Sequence, residues 1–254
     1  MNYPGRLIER GEEDKSIVKA IQNQLNLKGC VPIEVDGNFG INTFRAVKLF
    51  QSRHQDSKGN PLMIDGRIGS ITWSALFATD KTPNSVLAET PFLKKVLKVA
   101  NTQIGVVENP PHTNRGKEVD LYLKAVGLNP SAGNYPWCAA FVYWCFDKAS
   151  KELGITNPLI KTAGVIDHWN RTKAVKIPVD IVVANPNKIE PGAIFIMDFG
   201  KGLGHTGIVE SVQNGYITTI EGNTNNDNSR EGYGVFKLNN RKINTITRGF
   251  IQYH

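Results

Sequence analysis

Apolar residues in the first 80 positions recur at helical spacing in three places. Ile17, Ile21 and Leu25 lie one turn apart and predict a first amphipathic helix. Two more helices are indicated by two similar groups, namely Phe44, Val47 and Phe50, and Trp73, Leu76 and Phe77. Together the three would occupy about 75 residues, which is close to the lower size limit for a domain that folds alone. We therefore expect a small three-helix domain at residues 1–80.

Two similar turns precede the second and third of these helices. Residues 35–43 and 64–72 share an Asp-Gly pair, an apolar residue two positions on, a second glycine and a threonine. The offset between the two copies is 65 − 36 = 29 residues. Asp-Gly turns followed by a short polar cap are typical of helix starts. Each of these residues is explained as a turn former, so any function belongs to the domain as a whole.

The pattern changes twice after residue 80. Residues 81–91 contain several turn formers and two prolines, which predicts a linker. Residues 92–126 again show helical spacing, with Gly105 and Gly127 as helix ends. Short segments rich in Ile, Val, Tyr and Phe follow at 193–199, 207–212, 216–221, 234–238 and 247–253. Helices followed by neighbouring strands predict an α+β domain with a C-terminal antiparallel sheet at residues 92–254.

The chain is basic, with 30 Lys and Arg against 23 Asp and Glu and a formal net charge of +7. Such a charge attracts nucleic acid, anionic membranes or anionic wall polymers. The basic residues are scattered and no aromatic RNA-binding signature accompanies them, so we expect no nucleic-acid partner. No stretch approaches the roughly 18 apolar residues of a membrane span, and the first ten residues lack the apolar core of a signal peptide. We therefore expect neither membrane insertion nor a standard export signal.

Three cysteines are present, and their surroundings differ. An odd number cannot form a fully paired disulfide framework, and no Cys-x-x-Cys suggests a zinc site. Cys138 follows Pro136 by two positions and begins a strong helical pattern, so it is predicted in the first turn. There the unpaired N–H groups and the helix dipole favour the thiolate, which is the nucleophilic form. Cys145 lies two turns further on and, like Cys30, is expected in a core as an inert thiol.

A histidine and two polar residues lie on adjacent predicted strands. His205 stands at the start of an apolar strand, and Glu221 and Asn223 lie near the end of the next one. Residues 213–215 between them, Gln-Asn-Gly, predict a hairpin. A three-residue loop would put Glu221 on the same face as His205, whereas a two-residue loop would put it on the opposite face. We predict the three-residue loop or an equivalent bulge.

This arrangement supplies the side chains of cysteine acyl-transfer chemistry. Cys138 would attack a carbonyl, and His205 would take the thiol proton and later return it to the leaving amine. Glu221 would accept a hydrogen bond from the far ring nitrogen and stabilise the imidazolium. Asn223 either helps to orient the ring or gives polar support near the oxyanion. The oxyanion hole itself would include the backbone N–H of Cys138.

The first region resembles the peptidoglycan-binding domain 1 family. The likeness rests on the two Asp-Gly turns, on Thr72-Trp73, and on the helix segment Thr43-Phe44-Arg45-Ala46-Val47-Lys48-Leu49-Phe50-Gln51. It covers the whole three-helix domain. The resemblance implies that bacterial peptidoglycan is the partner of this chain.

The second region resembles the CHAP-domain hydrolases of the papain-like clan. The likeness rests on Pro136-Trp137-Cys138-Ala139-Ala140-Phe141-Val142, Gly204-His205-Thr206-Gly207-Ile208-Val209 and Ile220-Glu221-Gly222-Asn223-Thr224. It implies a papain-like α+β fold for residues 92–254, with Cys138, His205 and Glu221 as the catalytic triad and Asn223 as a fourth catalytic residue. Some relatives bind calcium through an Asp-rich loop near the cysteine. No such loop occurs in this sequence, so we predict no metal and no cofactor.

Four further residues near the cysteine have two interpretations each. Tyr135 and Trp137 flank it and are predicted to bind substrate in a groove for the stem peptide, with a core or groove-wall role as the alternative. Asn114 and Arg115 either contact a substrate carboxylate or belong to a hydrogen-bond network within their loop. For this second pair we favour the network.

These features together predict a peptidoglycan hydrolase of the endolysin type, from a bacteriophage. It would cut an amide bond, either between muramic acid and L-alanine or within the stem peptide. We expect a monomer that is made in the host cytoplasm without a signal peptide and reaches the wall after a membrane-permeabilising partner releases it. The alternatives are an effector delivered by contact into rival bacteria, with the same chemistry, and a non-catalytic wall-binding protein. The intact cysteine, histidine and glutamate argue against the last of these.

Overall fold

The structure is a computed structural model that describes residues 1–30, 32–58, 60–78, 88, 90–213, 215–225 and 232–254. Over these residues the chain divides into two compact units. The first consists mainly of residues up to 84, and the second mainly of those that follow. The linker expected at 81–91 lies largely outside the described residues, which include only Ala88, Thr90 and Pro91 of it.

The first unit contains the three helices that the apolar spacing predicts. They are α1 (Lys15–Leu27), α2 (Ile41–Arg53) and α3 (Ser70–Phe77). Each turns apolar side chains inward, and Ile21, Phe50 and Trp73 are fully buried. The side chain of Asp14 caps the start of α1 by accepting two backbone N–H groups of its first turn. Burial of the apolar side chains of the three helices against one another therefore holds this small domain together.

A buried glutamine holds each of the two Asp-Gly turns. Gln22 Nε2 donates to Asp36 Oδ1 at 2.7 Å, and Gln22 Oε1 accepts the backbone N–H of Gly37 at 2.9 Å. Gln51, which lies 51 − 22 = 29 residues further on, makes the same two bonds to the second Asp-Gly pair at 2.9 and 2.8 Å. The repeat seen in the sequence is therefore a repeat of a hydrogen-bond network as well.

The part of the chain after residue 90 has five α-helices in the described residues. They are α4 (Pro91–Asn101), α5 (Lys117–Ala125), α6 (Cys138–Leu153), α7 (Val165–Arg171) and α8 (Val179–Ala184). α6 is central, because it packs against α4, α5 and one strand of the sheet. α7 and α8 are only seven and six residues long, too short for a helical period to show in the sequence, and were not predicted.

No helix among the described residues combines the length and the apolar character that crossing a membrane would need.

The second unit also has one sheet, which is built from six strands in the described residues; five of the six follow the last α-helix. The six strands are β1 (Val175–Pro178), β2 (Ile194–Gly200), β3 (Leu203–Gln213), β4 (Tyr216–Thr224), β5 (Gly234–Lys242) and β6 (Gly249–Gln252). Their order is β1-β6-β2-β3-β4-β5, and the pairs β1–β6, β6–β2, β2–β3 and β4–β5 are antiparallel. This confirms the α+β class with a C-terminal antiparallel sheet. The short edge strand β1 ends in proline and was not predicted, because proline is a weak strand signal.

The start of α6 lies very close to β4 at Gly222. A Cβ atom at this position would lie 2.7 Å from Phe141 Cβ and 2.7 Å from Trp137 Cζ3. Carbon atoms in contact normally lie about 3.5–4.0 Å apart, so no larger residue fits here without a shift of the helix. Glycine therefore allows the strand to approach the helical turn that carries Cys138.

Candidate active site

Two hydrogen bonds from Trp137 fix the start of α6. Trp137 directly precedes the helix and is fully buried. Its backbone N–H donates to Asn223 Oδ1 at 3.1 Å, and its indole Nε1–H donates to Glu108 Oε1 at 2.9 Å. Cys138 is the first residue of the helix and is 5% exposed. Contacts to two other segments of the chain therefore hold the cysteine in the first helical turn, where the sequence places it.

His205 in β3 and Glu221 in β4 form a hydrogen-bonded pair. Nε2 of the imidazole and Oε2 of the carboxylate are 2.7 Å apart. The side chain of His205 is 17% exposed, whereas that of Glu221 is fully buried. The two side chains therefore meet, as the three-residue hairpin loop would require. β3 runs through Gln213 and β4 begins at Tyr216. Because Asn214 lies outside the described residues, the choice between a three-residue loop and an equivalent bulge stays a prediction.

The surroundings of His205 favour its protonated form. Burial alone would lower its pKa, but hydrogen bonding to Cys138 and to Glu221, together with their negative charges, outweighs burial and raises the pKa to about 9. Because Glu221 occupies Nε2, Nδ1 is the ring nitrogen left for the thiol. At neutral pH the arrangement therefore favours an imidazolium between a sulfur atom and a carboxylate.

Glu221 is surrounded by hydrogen-bond donors. Thr219 Oγ1 donates to Oε1 at 2.5 Å. Arg241 in β5 donates through Nε to Oε1 and through Nη2 to Oε2, both at 2.9 Å. Burial would raise the pKa of Glu221, but the hydrogen bond and charge of His205, the charge of Arg241 and the hydroxyl of Thr219 together lower it. The carboxylate is therefore ionised although its side chain is shielded from solvent.

Asn223 lies in β4 where the pairing register with β5 shifts, and its φ is 53°. Besides accepting the backbone N–H of Trp137, its side chain donates from Nδ2 to Asn114 Oδ1 at 3.2 Å and to the carbonyl of Gly232 at 3.0 Å. Among the described residues, these bonds connect Asn223 to the segment before α6 and to nearby loops. If Asn223 oriented the ring of His205, its side chain would have to bond to the imidazole, and these bonds do not. Support near the oxyanion stays a prediction.

Both regions of the chain match known families. Residues 130–223 match the family model of the CHAP domain, and residues 14–76 match the model described as "Putative peptidoglycan binding domain". The chain joins a peptidoglycan-binding domain to a CHAP domain. The two matches together indicate a peptidoglycan hydrolase that acts on the cell wall. Comparisons with the curated proteins and with the solved structures gave no match.

The other two cysteines are core residues, as predicted. Cys145 lies in α6 of the CHAP domain and Cys30 lies in the peptidoglycan-binding domain; both are fully buried, and all three cysteines are free thiols. Burial raises the pKa of Cys145 well above its usual range and also raises that of Cys30. Neither thiol is suited to nucleophilic attack. Cys138 is the cysteine that the CHAP domain places beside a histidine.

Trp137 is a core residue of the CHAP domain and not part of an open groove. It is fully buried, and its ring centroid lies 5.6 Å from that of Tyr122. Substrate has no access to the indole in this position, so the predicted substrate-binding role gives way to the core alternative. Burial is possible because Glu108 accepts the indole N–H. Tyr135 is partly exposed at the edge of the core, and its place in a groove stays a prediction.

The loop before α5 forms the hydrogen-bond network that we favoured for Asn114 and Arg115. Arg115 pairs with Asp120 through Nε at 2.9 Å and Nη2 at 3.0 Å. The backbone N–H of Asn114 donates to Glu108 Oε2 at 3.0 Å. Since the other oxygen of Glu108 accepts the indole N–H of Trp137, this one carboxylate connects the loop to the segment that precedes α6 in the CHAP domain.

Three residues that support this site were missed by sequence reasoning. Thr219 and Arg241 bond to Glu221, and Glu108 bonds to Trp137. Arg241 also lies beyond the end of the matched CHAP segment at residue 223. For Thr219 and Arg241 the available signal was a polar residue in or near a predicted strand. Glu108 and its partner Trp137 are 29 residues apart, and no local pattern connects them.

Proposed function

We propose that this chain is a bacteriophage endolysin that hydrolyses an amide bond of peptidoglycan with Cys138 as nucleophile. The observation that carries the proposal is the state of His205. Its ring is hydrogen-bonded to a fully buried carboxylate, and the interaction with Cys138 helps to raise its pKa to about 9. A cysteine at a helix start beside such an imidazole is the arrangement that thiol hydrolases use to form a nucleophilic thiolate.

At the start of the proposed reaction, the Cys138 thiol has already given its proton to Nδ1 of His205, so that a thiolate faces an imidazolium. The sulfur atom then attacks the carbonyl carbon of the amide and forms a tetrahedral oxyanion. As the first residue of α6, Cys138 has a backbone N–H with no acceptor within its own helix, which makes it a donor for that oxyanion. The imidazolium donates its proton to the leaving amine, the C–N bond breaks, and a thioester remains on Cys138.

In the second half, water attacks the thioester. His205 takes a proton from that water, the second tetrahedral intermediate collapses, and the Cys138 sulfur leaves as thiolate. Glu221 holds the imidazole at Nε2 and stabilises its charged form throughout. Asn223 acts on the backbone of Trp137 and so supports the oxyanion side of the site. Tyr135, which is partly exposed, lines the approach of the stem peptide.

The target bond is proposed to be either the link between muramic acid and L-alanine or a bond within the stem peptide. The peptidoglycan-binding domain would hold the enzyme on its polymeric substrate, and the net charge of +7 favours an anionic wall. One copy of the chain provides all the proposed catalytic side chains, which supports a monomer. The enzyme would be made in the host cytoplasm and reach the wall on release. The scheme uses side chains and water alone.

Clearing of purified cell wall tests the proposal. Wild-type protein should lower the turbidity of the suspension, whereas Cys138→Ala should leave it unchanged because the nucleophile is gone. Cys145→Ala is the matched control, since it removes a buried thiol from the same helix and should still clear the wall. Equal clearing by wild type and Cys138→Ala, or none by either, would defeat the enzymatic proposal.

Mass spectrometry of the released fragments decides which bond is cut. Cleavage at muramic acid would produce a new N-terminal alanine, whereas cleavage within the stem would produce a new peptide end of different mass. Intact stem peptides still bonded to muramic acid after clearing would exclude both.

A further inference from the structure

Arg241 contacts the active-site carboxylate from a strand outside the matched CHAP segment. Its Nε and Nη2 atoms bond to the two oxygens of Glu221, both at 2.9 Å, in a fork that fits a carboxylate. The Arg241 side chain is 20% exposed, while that of Glu221 is fully buried. Arg241 is therefore a third partner of this buried carboxylate, beside His205 and Thr219.

A β-bulge in β5 places Arg241 there. Ile217 pairs with Arg241 and Thr219 pairs with Leu238. Between these two pairs β4 advances by 219 − 217 = 2 residues and β5 by 241 − 238 = 3, so β5 contains one extra residue. Without it, position 240 would face Ile217 and Arg241 would point to the opposite side of the sheet. Bulges beside active sites commonly redirect a side chain in this way.

We propose that Arg241 is a positioning residue that keeps Glu221 ionised and directed at His205 throughout the catalytic cycle. This inference rests on the proposed function, in which His205 alternates between its charged and neutral forms. Whenever the imidazole is neutral, the buried carboxylate loses the positive charge on that side. The charged groups that face Glu221 among the described residues are His205 from β3 and Arg241 from β5. Arg241 then supplies the remaining counter-charge, without which a buried carboxylate would take up a proton.

The fork also fixes the orientation of the carboxylate. Two N–H···O bonds, one to each oxygen, hold its plane, so that Oε2 stays 2.7 Å from Nε2 of the imidazole, and Nη2 also lies 2.8 Å from Oε1. The guanidinium in turn lies over the ring of Phe195, with Cζ 5.3 Å from the ring centroid, and that ring is 5.8 Å from the ring of His205. Phe195 thus supports both cationic partners of Glu221. A lysine at 241 could supply the charge but not the fork.

The test compares the pH dependence of wall clearing in Arg241→Gln, Arg241→Lys and Lys237→Gln. Lys237 is the matched control, because it also lies in β5 and pairs with an acid, Glu210 at 2.7 Å, away from His205. In Arg241→Gln the acid limb, where Glu221 becomes protonated, should move to higher pH by about one to three units. In Arg241→Lys the acid limb should return to its wild-type pH, because lysine supplies the charge. The maximal clearing rate should stay below that of the wild type by up to about 100-fold, because a misplacement of about 1 Å can cost that much. Lys237→Gln should keep both the limb and the maximal clearing rate of the wild type.

A second assay measures the rate at which iodoacetamide alkylates Cys138 across the same pH range. It reports on the state of the thiol without wall substrate. In Arg241→Gln the alkylation rate should fall in the same pH interval as clearing, because the imidazolium loses its anionic partner. The inference is overturned if Arg241→Gln lowers the melting temperature but leaves the acid limb of both assays at its wild-type pH. Arg241 would then be only a structural residue. If Arg241→Gln does not fold, Arg241→Lys decides, since a maximal clearing rate equal to that of the wild type also overturns the inference. Failure of the proposed function is distinguishable, because it shows as equal wall clearing by wild type and Cys138→Ala, or as no clearing by either.

Discussion

Both domains bury a polar side chain among several hydrogen-bond partners, but the two networks differ in charge. In the peptidoglycan-binding domain, Gln22 and Gln51 are neutral and each 1% exposed. Each donates from Nε2 to an aspartate, a backbone carbonyl and a threonine hydroxyl, and accepts one backbone N–H. In the CHAP domain, the fully buried Glu221 is charged, and its partners are a threonine, an arginine and a histidine.

The difference separates a structural network from one suited to chemistry. In each glutamine network the buried polar groups bond to one another, and the network occurs twice at the same offset. Such bonds satisfy the buried polar groups of a repeated turn and need no further role. The Glu221 network spans β3, β4 and β5 and ends in His205, whose pKa is raised by Cys138 as well as by Glu221. Burying charge costs more free energy than burying an amide. Charged groups with shifted pKa values therefore indicate a functional site more strongly than neutral networks do.

Neutralising Glu221 should give the largest effect. Glu221→Gln keeps the size of the side chain but removes the charge that stabilises the His205 imidazolium, and it leaves Arg241 without its counter-charge. We expect the clearing rate to fall by about 10²- to 10⁴-fold, the range that general acid–base catalysis contributes. The free energy of unfolding of the CHAP domain should fall by about 3 kcal/mol, as for a broken buried ion pair. Turbidity and urea-unfolding measurements check both values.

Glu210→Gln is the matched control for this change. Glu210 lies in β3, and its carboxylate pairs with Lys237 of β5 at 2.7 Å, but it is not bonded to His205. The control should clear wall at a rate near that of the wild type. Equal losses in both variants would mean that Glu221 acts only as one more structural ion pair.

The next effect is the loss of activity at high pH. The pKa of His205 rises from 6.5 to about 9, although burial alone would lower it, because of Cys138 and Glu221. Above about pH 9 the imidazolium that protonates the leaving amine disappears, so the clearing rate should fall about tenfold per pH unit. The folded state holds this proton more tightly than the unfolded chain. The contribution of His205 to the free energy of unfolding is therefore complete below pH 6.5 and is lost as the pH rises to about 9.

Nuclear magnetic resonance titration of the His205 ring checks this prediction. In Cys138→Ala the pKa of His205 should be lower than in the wild type, because one of the two groups that raise it is gone. An identical pKa in the two proteins would show that the thiol does not act on the ring.

Local patterns were enough to predict most of the fold and the side chains that meet in the candidate site. The position of Cys138 followed from a proline and the helical spacing after it, and the pairing of His205 with Glu221 followed from strand alternation across a hairpin. Both patterns are local, so the sequence displays them directly. The three amphipathic helices of the first domain were equally clear for the same reason.

Arg241 and Trp137 show what such patterns cannot predict. Strict alternation would have placed Arg241 on the wrong face, because the bulge in β5 adds a residue that no local signal marks. An aromatic residue beside a nucleophile fits a groove as well as a core. The burial of Trp137 depends on Glu108 and Tyr122, which only the tertiary fold brings to it. Such contacts require three-dimensional information.

A smaller effect is expected from the glutamines of the first domain. Gln22→Ala leaves the backbone N–H of Gly37 without its acceptor, and Gln51→Ala does the same to Gly66. Each should lower the stability of the domain by about 1–3 kcal/mol, the cost of an unsatisfied buried group. Hydrogen exchange of peptides from residues 14–76 measures this in the full chain, with the exposed Asn23→Ala as control. Cleavage of soluble wall fragments should stay unchanged, and a loss there would remove the distinction between the two networks.

The smallest effects are expected from one threonine in each network. Thr43→Val removes an acceptor of Gln22, and Thr219→Val removes the hydroxyl that donates to Glu221. Both should cost about 1 kcal/mol of stability, the net value of a typical hydrogen bond. Only Thr219→Val should also move the acid limb of clearing to higher pH, because this hydroxyl is among the groups that lower the pKa of Glu221. A shifted limb in Thr43→Val, or an unshifted one in Thr219→Val, would show that charge is not what distinguishes the two networks.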